Sequence, residues 1–286
     1  MILASGAGHG FGWEPHLDAW LLIAALLGGY VFALRRWGPR DAPGRPPATT
    51  RQWVYFLLGV ASIEVAADWP VHQLADALFS VHMGQHLLLS LVSAPLLLLG
   101  TPSWLLRRLL SPAPVRAVWR AISQPLPALL LFNLWIAVYH VPALVNLSVT
   151  SDAFHLVVHV VWVVASVLMW WPVLSPLPEL PHLSYPARMV YLFAQSLVPT
   201  VPASFLTFGR TVLYRSYAEA PLAVGVDPLT DQQVAGLLMK VGGGFFIWAC
   251  IALLFLRWSH EEQSGGPDVL YWRDLEADLK RVSTPT

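Results

Sequence analysis

The chain has 286 residues, of which 56% are hydrophobic and only 12% are charged, and its formal net charge is zero. This charged fraction is about half that of an ordinary soluble domain, and several apolar runs approach the roughly 20 residues that a membrane-spanning helix needs. The composition therefore indicates an all-α, polytopic membrane protein and gives no reason to expect a nucleic-acid partner. The single cysteine, Cys250, excludes an internal disulfide and a thiolate-rich metal site.

Seven apolar segments predict membrane-spanning helices. They are Leu17–Leu34, Trp53–Ala67, Val81–Leu99, Leu126–His140, Ala153–Trp171, Ala187–Phe208 and Val234–Trp258. The second and fourth are short, which predicts tilt or local thinning of the bilayer. Pro199 and Pro202 predict a kink in the sixth. Because no basic region precedes the first span, we expect no cleavable signal peptide.

Lysine and arginine are distributed unevenly between the predicted loops. Fourteen of the 17 fall in the first, third and fifth loops and the C-terminal tail, whereas the opposite loops carry only Arg210 and Arg215. Basic residues favour the cytoplasmic side, so we predict a seven-transmembrane-helix bundle with the N-terminus outside and the C-terminus in the cytoplasm. Residues 1–262 form the predicted membrane domain, with a cytoplasmic interfacial helix at about 111–122, and residues 263–286 form a cytoplasmic tail.

Histidines concentrate at the outer ends of the third, fourth and fifth predicted spans. The five residues are His82 and His86, His140, and His155 and His159. Four residues advance a helix by about 400°, so each HxxxH pair shares one face and can clasp one metal ion. Imidazole suits copper, zinc or iron, and we predict that His82, His86, His155 and His159 are ligands, with His140 as a fifth candidate and copper as the preferred metal.

Other polar residues at a similar depth are candidates for supporting roles. Asp152 is predicted to hydrogen-bond the second ring nitrogen of a ligand histidine. The further candidates are His72, Asp76, Glu64, Gln85, Gln232, Lys240 and the potential soft ligands Met83 and Met239. Lys240 is expected to extend outward or to pair with Glu64 or an acidic loop residue. Thr230 with Gln233 fits a capping box at the start of a helix.

Several blocks of sequence resemble a known family in the same order. They read FSVHMGQHLLLSLVSAPLLLLGTP, YHVPALVN, FHLVVHVVW, LYRSYAEAP, DPLTDQQVAGLLM and RWSHEE. Over about Phe79 to Glu262 the chain is similar to the multispanning CtaG family of cytochrome c oxidase assembly factors, which are associated with caa-type oxidases. The resemblance implies a multi-pass protein of the bacterial plasma membrane that supports maturation of the copper centre in subunit I.

The resemblance also indicates functional residues. It carries over the five histidines named above, together with an acidic-Gln-Gln block at Asp231, Gln232 and Gln233. Lys240 departs from the family pattern, in which an aromatic residue is frequent at that position. A positive charge there opposes a metal-binding role for the seventh span.

From these features we predict an assembly factor that is not an enzyme. It would hold copper in an outward-facing histidine cluster and pass it to apo cytochrome c oxidase subunit I, with a copper donor protein as a candidate second partner. Three alternatives stay open. Histidines on facing helices could ligate haem axially, a histidine–carboxylate site could hold catalytic zinc, or the histidines could make only helix–helix hydrogen bonds in a metal-independent scaffold.

Overall fold

The computed structural model describes residues 16–180 and 183–264, and all regular structure within these ranges is helical. The α-helices are α1 (Leu17–Arg36), α2 (Gly38–Asp41), α3 (Thr50–Ala67), α4 (Val71–Ala77), α5 (Phe79–Leu87), α6 (Ala94–Gly100), α7 (Ser103–Leu109), α8 (Ala113–Ile122), α9 (Pro125–Tyr139), α10 (Pro142–Thr150), α11 (Asp152–Leu174), α12 (Tyr185–Leu197), α13 (Thr200–Phe208), α14 (Pro228–Leu237) and α15 (Gly243–Ser264). Two π-helical segments, Leu88–Ser93 and Leu238–Gly242, join α5 to α6 and α14 to α15. The all-helical prediction is confirmed.

Five helical stretches among the described residues are long and apolar enough to cross a membrane. They are Ala19–Arg36, Phe79–Gly100, Ala153–Leu174, Tyr185–Phe208 and Pro228–Gln263. Two bent pairs, α3 with α4 at 43° and α8 with α9 at 81°, raise the number to as many as seven when each pair counts as one span. The bent pairs contain the two segments that are short in the sequence. The count of seven and the orientation of the termini stay predictions.

The predicted boundaries agree with the helices except at the seventh span. Its helix begins at Pro228 rather than Val234, and it continues beyond Trp258 to Ser264, into the predicted tail. The predicted capping box was wrong, because Asp227 is the N-cap and its carboxylate accepts hydrogen bonds from the backbone and hydroxyl of Thr230, each at 2.8 Å. These bonds hold the pKa of the Asp227 carboxyl below its usual range.

Loops that the sequence assigns to one side of the membrane do meet at one end of the bundle. Arg107 pairs with Glu179 at 2.5 Å, joining the third and fifth loops, and Arg108 pairs with Asp41 at 2.8 Å, joining the third and first. At the opposite end, the Tyr214 hydroxyl of the sixth loop donates to the carbonyl of His140 at 3.1 Å. These contacts join loops that the arginine distribution assigns to the same side.

The first π-helical segment contributes to the packing of the third span against the fifth. Trp162 of α11 donates its indole N–H to the carbonyl of His86 at 3.2 Å, and Trp170 donates to the carbonyl of Ser90 at 2.8 Å. A π-helical turn widens the helix and interrupts the regular backbone ladder. Two tryptophans on one face of α11 therefore fix the helix that carries His82 and His86.

Gly100 on α6 packs closely against α3, and this contact can be tested by substitution. A Cβ atom at Gly100 would collide with the backbone of Phe56 on α3, whereas a Cβ atom at Gly244 meets nothing within 4 Å. We expect Gly100→Ala to lower the free energy of unfolding by about 1–3 kcal/mol through overpacking. The matched change Gly244→Ala should be neutral or slightly stabilising, because alanine favours helix over glycine. Thermal unfolding in detergent measures both, and equal unfolding temperatures would contradict the close contact between α3 and α6.

Candidate metal centre

His82 and His86 lie on one buried face of α5. Their exposed fractions are 1% and 2%, and their Nε2 atoms are 2.9 Å apart, which is a hydrogen-bond distance. The Nε2 of His82 also contacts the hydroxyl of Tyr139 at 3.0 Å, and that hydroxyl contacts the Ser148 hydroxyl at 2.9 Å. The first HxxxH pair thus forms a connected polar unit inside an apolar core.

The second HxxxH pair, on α11, faces the first. The ring centroid of His155 lies 5.6 Å from that of His82, and the ring of His159 lies 5.5 Å from that of His86. His155 and His159 are themselves 4.2 Å apart. We call these four residues the histidine quartet. Hydropathy indicates a shared depth, and the structure adds that the helices are neighbours.

Two further histidines extend the quartet toward the end of the bundle that the arginine distribution predicts to be the outer one. His72 on α4 lies 5.4 Å from His155 between ring centroids, and His16 lies 4.3 Å from His72. The Nε2 of His72 is 3.9 Å from a carboxylate oxygen of Asp76. A cavity of about 650 Å³, which we call the outer cavity, is lined by His16, His72, Asp76, His155 and His159.

A second cavity, of about 300 Å³, lies on the other side of the quartet, and we call it the inner cavity. Its wall includes His86, His140, Met83, Met239 and Lys240. His140 caps the C-terminal end of α9 and is not part of the quartet. No described residue lines both cavities. Within the quartet, His86 lines the inner cavity, whereas His155 and His159 line the outer cavity.

Several ring nitrogens of these histidines are buried without a hydrogen-bond partner among the described residues. Six are of this kind, namely Nδ1 of His72, His82 and His86 and Nε2 of His16, His140 and His159. Leaving a buried polar atom unpaired costs about 1–3 kcal/mol, and a bound group that accepts the Nε2 lone pairs of His140 and His159 would remove that cost. Within residues 16–180 and 183–264, however, no three His, Cys, Asp or Glu side chains are placed to hold one ion together. The quartet therefore presents its imidazoles as pairs and not as a set of three or more around one point.

Asp231 positions the quartet from a distance. Its buried carboxylate accepts hydrogen bonds from the backbone N–H of Phe79 at 2.6 Å and of Ser80 at 3.2 Å, and from the Ser80 hydroxyl. These N–H groups begin α5 and have no acceptor within that helix. An acid on α14 therefore caps the helix whose next two turns carry His82 and His86.

The two glutamines after Asp231 hold the sixth loop. Gln232 accepts a hydrogen bond from the backbone N–H of Leu213 at 2.7 Å and donates to the carbonyl of Thr211 at 3.1 Å. Gln233 donates to the carbonyl of Gly209 at 3.2 Å. Gln232 was a candidate for the metal site, and the structure gives it this structural contact with the loop.

Other sequence candidates lie outside the quartet. Gln85 donates to the carbonyl of Ala66 at 2.6 Å and so holds α3. Glu64 lines neither cavity. The side chain of Asp152 lies outside the described residues, so its predicted hydrogen bond to a ligand histidine stays a prediction.

Lys240 lines the inner cavity without the ion pair expected with Glu64. Its ammonium is 3.4 Å from the Ser204 hydroxyl and 5.5 Å from the centre of the Phe208 ring. No salt bridge joins it to a carboxylate in the part of the chain that the structure describes. Neither Ser204 nor Phe208 lines the inner cavity, so the charged end of Lys240 is held outside that wall.

Sequence reasoning missed three residues of the centre. His16 was not among the candidates, although its position immediately before the first span was a signal that it lies at the same depth. Tyr139 contacts His82, and the Trp162 ring lies 3.9 Å from that of His86. Aromatic residues in a span are ordinary packing groups in sequence, and only the structure distinguishes these two.

Comparison with known proteins identifies a family and distant relatives. The model of a family described as cytochrome c oxidase caa3 assembly factor matches residues 28–261. Two uncharacterized proteins, Mb0105 of Mycobacterium bovis and MT0111 of Mycobacterium tuberculosis, are each 27% identical to the chain over 247 residues. The match covers 81% of this chain, which spans 36% of the length of these relatives. No solved structure matches the chain.

Proposed function

The chain belongs to the family of cytochrome c oxidase caa3 assembly factors, and from that premise we propose that it carries copper in its histidine quartet for the maturation of the oxidase. In this proposal it acts in the bacterial plasma membrane, receives the ion at the outer cavity and transfers it to apo subunit I. The family role is assembly, so the ion is cargo and the chain performs no catalytic turnover. A copper donor protein is a candidate partner at the outer cavity.

The observation that carries the proposal is the close packing of four buried imidazoles in the quartet. Polar and ionisable groups within a membrane are costly and usually serve a function. Four imidazoles whose neighbouring rings lie 4.2 to 5.6 Å apart would be a poor choice for packing alone. Imidazole nitrogen binds copper well, and the absence of thiolate leaves nitrogen as the principal donor.

The His82–His86 pair needs only a small rearrangement to hold an ion. The two Nε2 atoms are 2.9 Å apart, whereas two nitrogens bonded to one ion, each at about 2 Å, stand roughly 3–4 Å apart. Rotation of the rings supplies that difference. The ion would take both Nε2 lone pairs, so the proton between the Nε2 atoms would move to an Nδ1 atom and the Tyr139 hydroxyl would give up its contact with His82 Nε2.

Retained copper tests the proposal. The full-length protein would be purified in detergent, loaded with Cu(I) under anaerobic conditions and desalted before the metal is measured. We expect the wild type to retain copper and His82→Ala/His86→Ala to lose most of it. His260→Ala, at the other end of the bundle, is the matched control and should retain as much as the wild type.

Two outcomes would overturn the copper proposal and leave family membership intact. If the wild type retained no copper, the quartet would serve as structural support within an assembly scaffold. If the purified protein instead showed a Soret band that disappeared in His82→Ala/His86→Ala, the histidines would bind haem.

A further inference from the structure

We propose that the inner cavity holds a second copper station, specific for Cu(I), formed by the Nε2 of His140 and the thioether sulfurs of Met83 and Met239. This inference rests on the proposed copper-carrying function and adds to it an oxidation state and a direction of transfer. Copper would pass from nitrogen ligands in the quartet to a softer site on the other side of His86.

His140 is prepared as a ligand by its backbone hydrogen bond. Its Nδ1 donates to the carbonyl of Ile136 at 2.7 Å, which places the proton on Nδ1 and leaves the lone pair on Nε2. The His140 side chain is only 9% exposed to solvent, and its Nε2 has no hydrogen-bond partner among the described residues. A second nitrogen held by a carbonyl is the usual arrangement of a metal-binding histidine, and here the free nitrogen belongs to a residue that lines the inner cavity.

Methionine is concentrated at the same wall. Three of the five methionines of the chain, Met83, Met169 and Met239, line the inner cavity. Two of them belong to helices that meet at one level, because Cβ atoms at Gly84 and Gly243 would lie 3.7 and 3.3 Å from side chains of the facing helix. Met239 itself lies in the π-helical segment Leu238–Gly242, a type of distortion that is frequent at functional sites.

The third methionine lies deeper and therefore serves as a control. Met169 follows His159 by ten residues on α11, and ten helical residues advance about 15 Å. His159 is at the level of His86, since their rings are 5.5 Å apart. Met169 is thus far below Met83, although it lines the same cavity.

The two cavities differ in the chemistry that they offer an ion. The outer cavity combines histidines with the carboxylate of Asp76, whereas none of the acidic residues that the structure describes lines the inner cavity. Thioether ligands select Cu(I) over zinc and other harder divalent ions. Lys240 does not oppose this assignment, because its ammonium is held at Ser204 and Phe208. An ion that reaches the inner cavity would therefore be Cu(I), at a position beside the sixth and seventh spans.

X-ray absorption at the copper edge of the full-length, Cu(I)-loaded protein tests the station. We expect sulfur scatterers in the wild type, and we expect them to be absent in Met83→Leu/Met239→Leu, which should still hold copper through nitrogen alone. Methionine-to-leucine changes nearly conserve volume and cost little stability, so loss of sulfur would not reflect unfolding. Met169→Leu should give the wild-type spectrum. A Cu(I) chelator should remove copper from the double variant at a concentration at least about tenfold lower than it needs for the wild type. This difference corresponds to about 1.4 kcal/mol in the free energy of Cu(I) binding.

The results separate this inference from the function on which it rests. Copper bound with nitrogen scatterers only, or sulfur that persists in Met83→Leu/Met239→Leu, would overturn the inner station and leave the quartet as the copper site. A wild-type protein that binds no copper would overturn both. Sulfur lost in the double variant and kept in Met169→Leu establishes the station.

Discussion

Replacing Asp231 with alanine is expected to lower the free energy of unfolding by about 3–5 kcal/mol, the largest loss of stability among the changes considered for this chain. The carboxylate is 3% exposed and accepts hydrogen bonds from two backbone N–H groups at the start of α5. Hydrogen bonds to a charged acceptor contribute about 1.5–3 kcal/mol each. Without Asp231, the N–H groups of Phe79 and Ser80 would be left buried without an acceptor.

The expected loss is measured by thermal unfolding in detergent and by the amount of protein that accumulates in the membrane. Asp231→Asn keeps one acceptor oxygen at nearly the same volume, so its stability should be intermediate. Thr230→Ala, on the same helix, removes only an exposed contact with Asp227 and should have a small effect. If Asp231→Ala and Thr230→Ala unfolded at the same temperature, the carboxylate would not be the cap of α5.

Through Asp231, the stability of α5, the helix that carries His82 and His86, depends on a distant part of the chain. Phe79 and Asp231 are 152 positions apart in sequence. Locally, Asp231 is an acid in the first turn of α14, and nothing in its neighbours indicates a partner on another span. Sequence analysis can place an acid at a helix start, but only the packing of α14 on α5 determines which helix it caps.

The sequence predicts the level of the histidines along the bundle, but it does not predict which helix faces meet. Hydropathy and arginine placement locate His82, His140 and His155 at one level, because each span must enter or leave the bilayer there. They do not indicate which faces meet. The structure turns His155 toward His82 and places His140 with His86 at the inner cavity. The four histidines expected as ligands therefore lie together, and the fifth candidate lies outside their ring contacts.

The π-helical segments were also beyond prediction. Leu88–Ser93 ends two residues before Pro95, and Leu238–Gly242 contains Lys240, but neither feature predicts a π-helical turn in place of an α-helical one. Contacts between helices accompany this geometry, such as the indole of Trp170 at the carbonyl of Ser90. Each segment lies beside the centre, one directly after His86 and one around Met239, where a small displacement of a helix alters which side chains face a cavity.

In cells whose caa3-type oxidase requires this chain, His82→Ala/His86→Ala is expected to leave the oxidase without copper. Both imidazoles of the α5 pair are removed, so the quartet loses its central ligands while Asp231 still caps the helix. We expect oxidase activity and oxidase-bound copper in isolated membranes to fall to the level of a strain that lacks the chain. Immunodetection should show the variant and oxidase subunit I at wild-type amounts.

Excess copper in the medium separates a copper carrier from a scaffold. If the quartet delivers the ion, high external copper should restore part of the oxidase activity in the variant strain, because the apo subunit is present and lacks only metal. A scaffold defect would persist at every copper concentration, since no ion replaces a missing protein contact. His260→Ala, at the opposite end of the bundle, should behave as the wild type. Normal oxidase copper in His82→Ala/His86→Ala would show that the quartet is not on the route of the ion.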